Sequence, residues 1–205
     1  MKKLLTDKRS VFNPFSYIAG TEALFYGLAL ISLTALLGWA SNTWLDGLLD
    51  LHYGPAAPFW IHLALGFTNW LSMVIVLTPM AMMLSPSRVR FVDIAGTQAL
   101  ARAPMLIATA TGFLTAPHQV GQWAVYTFLG EGESVELAGH HIIIAALTIL
   151  VIVLMVIWMV VLMYNAYKVS ANIKGTRAGL SFTAAILIAY AISKAAAIYV
   201  IRWGI

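Results

Sequence analysis

Three ionisable residues, Glu22, Arg102 and Lys194, stand inside long apolar stretches of this chain. A charge in such a setting must be paired, reach water along its own stem, or do work. Glu22 and Arg102 approach their apolar segments from the same side and at similar depth. A structural ion pair between Glu22 and Arg102 is therefore expected. Lys194 meets no acid at matching depth, so its stem is expected to carry the ammonium outward, towards Asp46, Asp50 or aromatic anchors. The functional alternative makes Glu22, Arg102 and Lys194 the charges of a small transporter or channel.

The five histidines, His52, His62, His118, His140 and His141, fall near one predicted side, together with Glu131, Glu133 and Glu136. Glu136 and His140 are four apart, a spacing that would turn both towards one metal on a helix. No His-Glu-Xaa-Xaa-His pattern accompanies them, and no metal site is assigned. Neither a phosphate loop nor a Gly-Xaa-Ser-Xaa-Gly elbow occurs. No catalytic residue and no cofactor are expected. The absence of cysteine excludes disulfides, thiolate metal sites and thiol redox chemistry.

The elements that would position these residues are helices. Of the 205 residues, 61% are hydrophobic and only 10% charged, against about a quarter charged in soluble domains. The run from His141 to Tyr164 holds no Asp, Glu, Lys, Arg, Pro or Gly, and as a helix it would be roughly 36 Å long, enough to cross a ~30 Å hydrocarbon core. Asn13-Pro14 reads as a helix start. Asp46, Gly47, Asp50 and Gly54-Pro55 read as breakers, as does Ser85-Pro86-Ser87. The expected fold is all-α: one membrane domain over 1–205, a bundle of five transmembrane helices at 14–40, 59–84, 97–116, 141–164 and 179–201. Residues 1–13 form a cytoplasmic tail. The third span carries Arg102 and Pro104 within it.

Charge placement supports five crossings. With alternating sides, ten of the twelve Lys and Arg residues share one side: Lys2, Lys3, Lys8, Arg9, Arg88, Arg90, Arg102, Lys168, Lys174 and Arg177. That side is expected to be cytoplasmic. The amino terminus is then inside and the carboxyl terminus outside, as in a bacterial inner membrane. Trp39, Trp44, Trp60, Trp123, Tyr126 and Trp203 collect near the other interface. Small residues recur every four positions at Ser181, Ala185, Ala189, Ser193 and Ala197, and at Ala108, Gly112 and Ala116. This spacing lets helix backbones approach closely, in the bundle interior or at a self-association face. Basic residues at segment ends mark topology, so nucleic-acid binding is not expected.

Two stretches, Arg90 to Pro104 (RFVDIAGTQALARAP) and Asn165 to Gly175 (NAYKVSANIKG), together with Asn13-Pro14-Phe15, resemble the bacterial branch of the Yip family, the Ypt/Rab-interacting membrane proteins. The resemblance covers nearly the whole chain and implies five spans with a cytoplasmic amino terminus. It further implies a non-enzymatic protein acting through lipids or other membrane proteins. The candidate contact surface is the cytoplasmic face: Arg88, Arg90, Asp93, Lys168, Lys174 and Arg177. These would hold anionic headgroups or the acidic patch of a partner, either another membrane protein or a second copy of the chain.

Overall fold

Uncharged apolar runs bounded by Pro, Gly and charged residues fold here as helices, because a helix satisfies its own backbone polar groups wherever water is scarce. The computed structural model describes residues 11–132 and 134–204. Its long elements are α1 (Gly20–Ala40), α2 (Phe59–Leu84), α3 (Phe91–Leu100), α4 (Pro104–Ala110), α5 (Thr115–Leu129), α6 (Gly139–Ala171) and α7 (Gly175–Gly204). A two-residue hairpin, β1 (Thr43–Trp44) against β2 (His52–Tyr53), lies between α1 and α2. The fold is thus helical with almost no sheet. Helices α1, α2, α6 and α7 are each long and apolar enough to cross a membrane. The bent pair 91–113 and Thr115–Leu129 raises that number to five if it counts as one span.

Several boundaries differ from the sequence expectation. Helix α1 begins at Gly20 rather than Pro14, because Pro14–Ser16 forms a separate 3-10 turn. The expected tail is also shorter. Residues 1–10 lie outside the described residues, and Val11 and Phe12 pack along α6, where their carbonyls accept from Trp158 Nε1 (3.0 Å) and Asn165 Nδ2 (2.9 Å). Helix α6 runs 33 residues rather than 24, ending at Asn172 in the left-handed region.

The third span begins at Phe91 instead of Thr97 and tightens at 101–103. Pro104 has no N–H to offer the Leu100 carbonyl, which accepts from Ala103 N at 3.1 Å instead. At Leu114 the chain turns by 75° into α5, a helix absent from the expectation. Its signs were a proline in the first turn, Pro117, and a left-handed Gly130 directly after Leu129.

Helices α3 and α4 form the hub of the bundle, contacting α1, α2 and α6, and the most extensive packing is α1 on α3. It requires glycine. A Cβ on Gly27 would stand 2.5 Å from both Ala99 Cβ and Leu100 N, and one on Gly96 would run into the Gly20 carbonyl and Leu24 N. Ser181, Ala185, Ala189, Ser193 and Ala197 are all buried, and α7 packs chiefly on α2. Ala108, Gly112 and Ala116 are buried too. Both small-residue stripes therefore serve interior packing.

Helix α6 is divided lengthwise. Met159, Leu162, Met163, Ala166 and Tyr167 are buried, whereas Ile142, Ile143, Leu147, Leu150, Leu154 and Ile157 are exposed. An exposed apolar surface of this extent marks an interaction or membrane surface.

The α1–α3 crossing makes a direct prediction. Gly27→Ala should destabilise the detergent-purified protein by about 1–3 kcal/mol through overpacking against backbone. Gly179→Ala, where a Cβ meets nothing within 4 Å, should leave stability within ~0.5 kcal/mol. Thermal or denaturant unfolding of the two variants compares them, and equal effects would refute the close crossing.

Candidate functional site

The segment 41–58 is a short stretch rich in Gly, Asp and Pro, yet it does not stand off the bundle. Trp44 and Leu48 are buried. The β1–β2 hairpin is closed by Trp44 Nε1 donating to the Pro55 carbonyl at 3.0 Å. Helix α2 holds it from below, with Asn69 Nδ2 donating to the Leu45 carbonyl at 2.7 Å. Helix α7 holds it from the side, with Leu48 N donating to Ser193 Oγ at 2.9 Å. Trp44, expected in an interfacial aromatic belt, is instead a core residue beneath the hairpin. Trp39, Trp60, Trp123, Tyr126 and Trp203 are exposed.

This docking brings together a charged cluster. Lys194 Nζ lies 2.9 Å from Asp46 Oδ2 and 2.6 Å from Asp50 Oδ2. His52 Nδ1 lies 3.1 Å from Asp46 Oδ1, and the Tyr190 hydroxyl donates to Asp50 Oδ2 at 3.1 Å. Gly47 is tightly enclosed: a Cβ there would be 2.6 Å from Asp50 Oδ2 and 3.1 Å from Lys194 Cε. The hydrogen bond from His52, with Lys194 adding to it, holds the Asp46 carboxylate well below the usual range, against the opposing effect of its burial. Lys194 thus reaches outward along its stem to Asp46 and Asp50.

The cluster lines one wall of an open cleft of about 460 Å³, and Ile152, Val153, Val156 and Ile157 of α6 form the other. Two carboxylates around one ammonium act as an electrostatic latch between the hairpin and α7. Sequence reading named Asp46 and Asp50 only as termini for the lysine stem. It placed His52 on this side among the histidines without pairing it to Asp46, and it missed Tyr190, which has no sequence signal beyond its type.

The expected pairing of Glu22 with Arg102 is not present. With α1 starting at Gly20, Glu22 falls in the first helical turn, exposed, where a negative charge suits the helix dipole. Arg102 lies 11 residues beyond Phe91, about 16 Å along the third span, and is buried. The two residues differ in depth, and among the described residues no ion pair joins them.

At the opposite end from the hairpin, the structure gathers the basic residues of the 85–91 and 172–177 segments. Arg90 and Asp93 form a two-pronged pair at 2.8 Å and 2.8 Å, which raises the guanidinium pKa further through the hydrogen bonds and charge of Asp93. Lys168 lies over the Tyr164 ring at 5.2 Å. Arg88, Lys174 and Arg177 are exposed. Lys174 and Arg177 line a cleft of about 380 Å³ with Leu84, Pro86, Asn172 and Ile173.

The Glu136 and His140 spacing loses its meaning, because α6 starts at Gly139 and Glu136 precedes it. Glu133 lies outside the described residues. His140 stacks edgewise on His141 at 4.1 Å. Among the described residues no three His, Asp or Glu side chains are grouped to hold a metal.

The chain matches no known family model, no curated protein and no solved structure. What it does must be argued from its own geometry.

The latch carries a pH dependence of definite sign. Because the folded-state pKa of Asp46 lies below its ordinary value of 3.8, the unfolded chain binds more protons near pH 4. Its contribution is therefore complete above about pH 5 and is lost as pH falls below about 4. Asp46→Asn should flatten the acid limb of a stability profile measured by thermal unfolding. Lys194→Met should cost about 1–2 kcal/mol at pH 7, between the values of exposed and buried pairs. An unchanged acid limb in Asp46→Asn would refute the latch.

Proposed function

We propose that this chain is a multi-pass integral membrane protein of the Yip type that organises or binds lipids, or other membrane proteins, rather than catalysing a reaction. It crosses five times in a bacterial inner membrane. The amino terminus and the 85–91 and 172–177 segments face the cytoplasm, and the hairpin and carboxyl terminus face outward. The observation that carries this reading is the pairing of an exposed apolar girdle with exposed basic groups gathered at one end. Ile142, Ile143, Leu147, Leu150, Leu154 and Ile157 on α6, with Leu180, Leu187 and Ile198 on α7, are exposed between the two polar ends. Lys174 and Arg177 share a cleft at one of them, and Arg88 is exposed in the 85–91 segment that Asn172 contacts through Ser87.

The cleft at Lys174 and Arg177 supports a contact with anionic headgroups on the cytoplasmic leaflet. Its floor is apolar, from Leu84, Pro86 and Ile173, and its rim is cationic. Such a rim attracts an anionic leaflet by about 1 kcal/mol per basic residue near the surface. Asp93 contributes less than expected, because its carboxylate is engaged by Arg90. Lys168 is partly occupied by Tyr164.

A transporter or channel would need Glu22, Arg102 and Lys194 along one water path. They lie in three separate settings: the surface of the first turn of α1, a buried break in the third span, and the outer latch. That separation favours a binding protein over a transporter or channel.

Two measurements test the proposal. Reporter fusions after Gly175 and at Ile205 should report the cytoplasm and the outside respectively, and the same side for both would overturn the five-crossing topology. Native mass spectrometry of the protein released from anionic membranes should show several-fold less retained anionic lipid for a Lys174→Gln, Arg177→Gln double variant. Equal retention would remove the lipid contact from this cleft.

A further inference from the structure

Arg102 is a buried cation with no counter-ion among the described residues. The residue is 4% exposed. Nη1 finds no acceptor, and among the described residues no carboxylate lies within ion-pairing distance. Arg102 lines a small void of about 10 Å³ together with Ile31, Thr34, Leu45, Gly66 and Met105. None of these can supply negative charge. The Thr34 hydroxyl proton is spent on the Leu30 carbonyl at 2.8 Å, and the Leu45 carbonyl already accepts from Asn69 at 2.7 Å. The nearest acid in sequence to that wall is Asp46, directly after Leu45, and it is turned to Lys194 and His52.

A lone positive charge in such surroundings is among the costliest arrangements a fold can contain, and removal of a partner from a buried pair is correspondingly destabilising. Arg keeps its proton in proteins, so neutralisation by deprotonation is not open to it. A water in the void would accept one hydrogen bond but leave the net charge in place. We propose that the void at Arg102 is a binding site for one monatomic halide, chloride under physiological conditions, acting as the counter-ion of the guanidinium.

The size of the void supports a monatomic ligand. About 10–15 Å³ is the least that admits one water-sized sphere, so carboxylates, phosphates and sulfate are excluded by volume. Chloride is larger than water, so the wall must give way to admit it, and Met105 is the side chain best able to yield, being unbranched and adaptable. The place also suits the fold. Arg102 sits where the third span tightens before Pro104, and the walls come from α1, α2 and the hairpin. A bound anion would therefore tie the break in the hub to three neighbouring elements. This inference stands apart from the lipid-binding proposal, since it concerns only the interior of the bundle.

The test uses the full chain purified in detergent, with chloride or bromide exchanged for gluconate at constant ionic strength. The expected result is a saturable rise in Tm with either halide, roughly 5–10 °C at a hundredfold excess over Kd, and none with gluconate. Arg102→Gln should abolish the halide dependence. Crystals grown in bromide should show an anomalous peak beside the Arg102 guanidinium, a readout that needs no variant and survives if Arg102→Gln fails to fold. Equal Tm in halide and gluconate, or a bromide-grown crystal with no peak at Arg102, would overturn the proposal and leave the void to water.

Discussion

Helices α3 and α4 touch α1, α2 and α6 at once, and the small residues on their inward faces allow the close approach. Ala95, Gly96, Ala99, Ala101 and Ala108 are all buried, and Gly27 of α1 offers no side chain at the crossing. Among apolar helices surrounded by apolar material, no hydrophobic gain favours helix contact over exposure, so close backbone approach and hydrogen bonding must supply the attraction. The hub uses both. Trp70 Nε1 donates to the Ala95 carbonyl, Gln98 Nε2 to the Met163 carbonyl, and Thr97 shares a hydrogen bond with Ser170, at 2.9 Å in each case. Glycine and alanine bring the backbones within reach, and Thr, Gln and Trp then fasten α3 to α2 and α6.

From that hub the remaining helices take their places. Helix α7 joins through α2 rather than through α6, so a gap opens between α6 and α7 on the hairpin side. The hairpin fills part of it, and the latch of Lys194 with Asp46 and Asp50 borders the rest. The exposed half of α6 follows from the same arrangement. Its basic end packs against the hub and residues 11–16, while α5 covers only part of the other end. A long helix pinned at one end presents apolar surface along the remainder.

The helical class, the four long apolar helices and the small-residue stripes were legible because each rests on local composition or on a fixed period. The latch was half legible. The position of Lys194 within an apolar run demanded an outward partner, and Asp46 and Asp50 were the nearest acids on that side. How the hairpin would fold inward to meet it depended on Asn69 and Ser193, distant residues with no sequence signal for this role. The Glu22 and Arg102 pairing failed for a local reason. A helix start at Pro14 would set Glu22 two turns deep, but the 3-10 turn at Pro14–Ser16 moves the start of α1 to Gly20, six residues on. Helix α5 was missed because a bend at Leu114 is a tertiary event, although Gly130 marked its end. The Yip resemblance rests on motifs in the hub and in the α6–α7 turn. Within them Gly96, Thr97, Gln98, Ala99, Ala166, Tyr167 and Ala171 are buried packing positions, whereas Phe91, Val169 and Lys174 are exposed.

The basic residues divide into three physical situations, and the division bears on function more than their number does. Arg88, Lys174 and Arg177 keep their water and cost the fold nothing, so they remain available to a ligand. Lys194 is partly buried but surrounded by two carboxylates, so its charge is absorbed in holding the hairpin. Arg102 is buried, and no acid among the described residues opposes it. A fold selected only for stability would be expected to place a hydrophobic residue at such a position, since buried ionic groups are often replaceable by apolar ones at no loss. Retaining a guanidinium beside a water-sized void is intelligible if the charge is opposed by something that is not part of the chain.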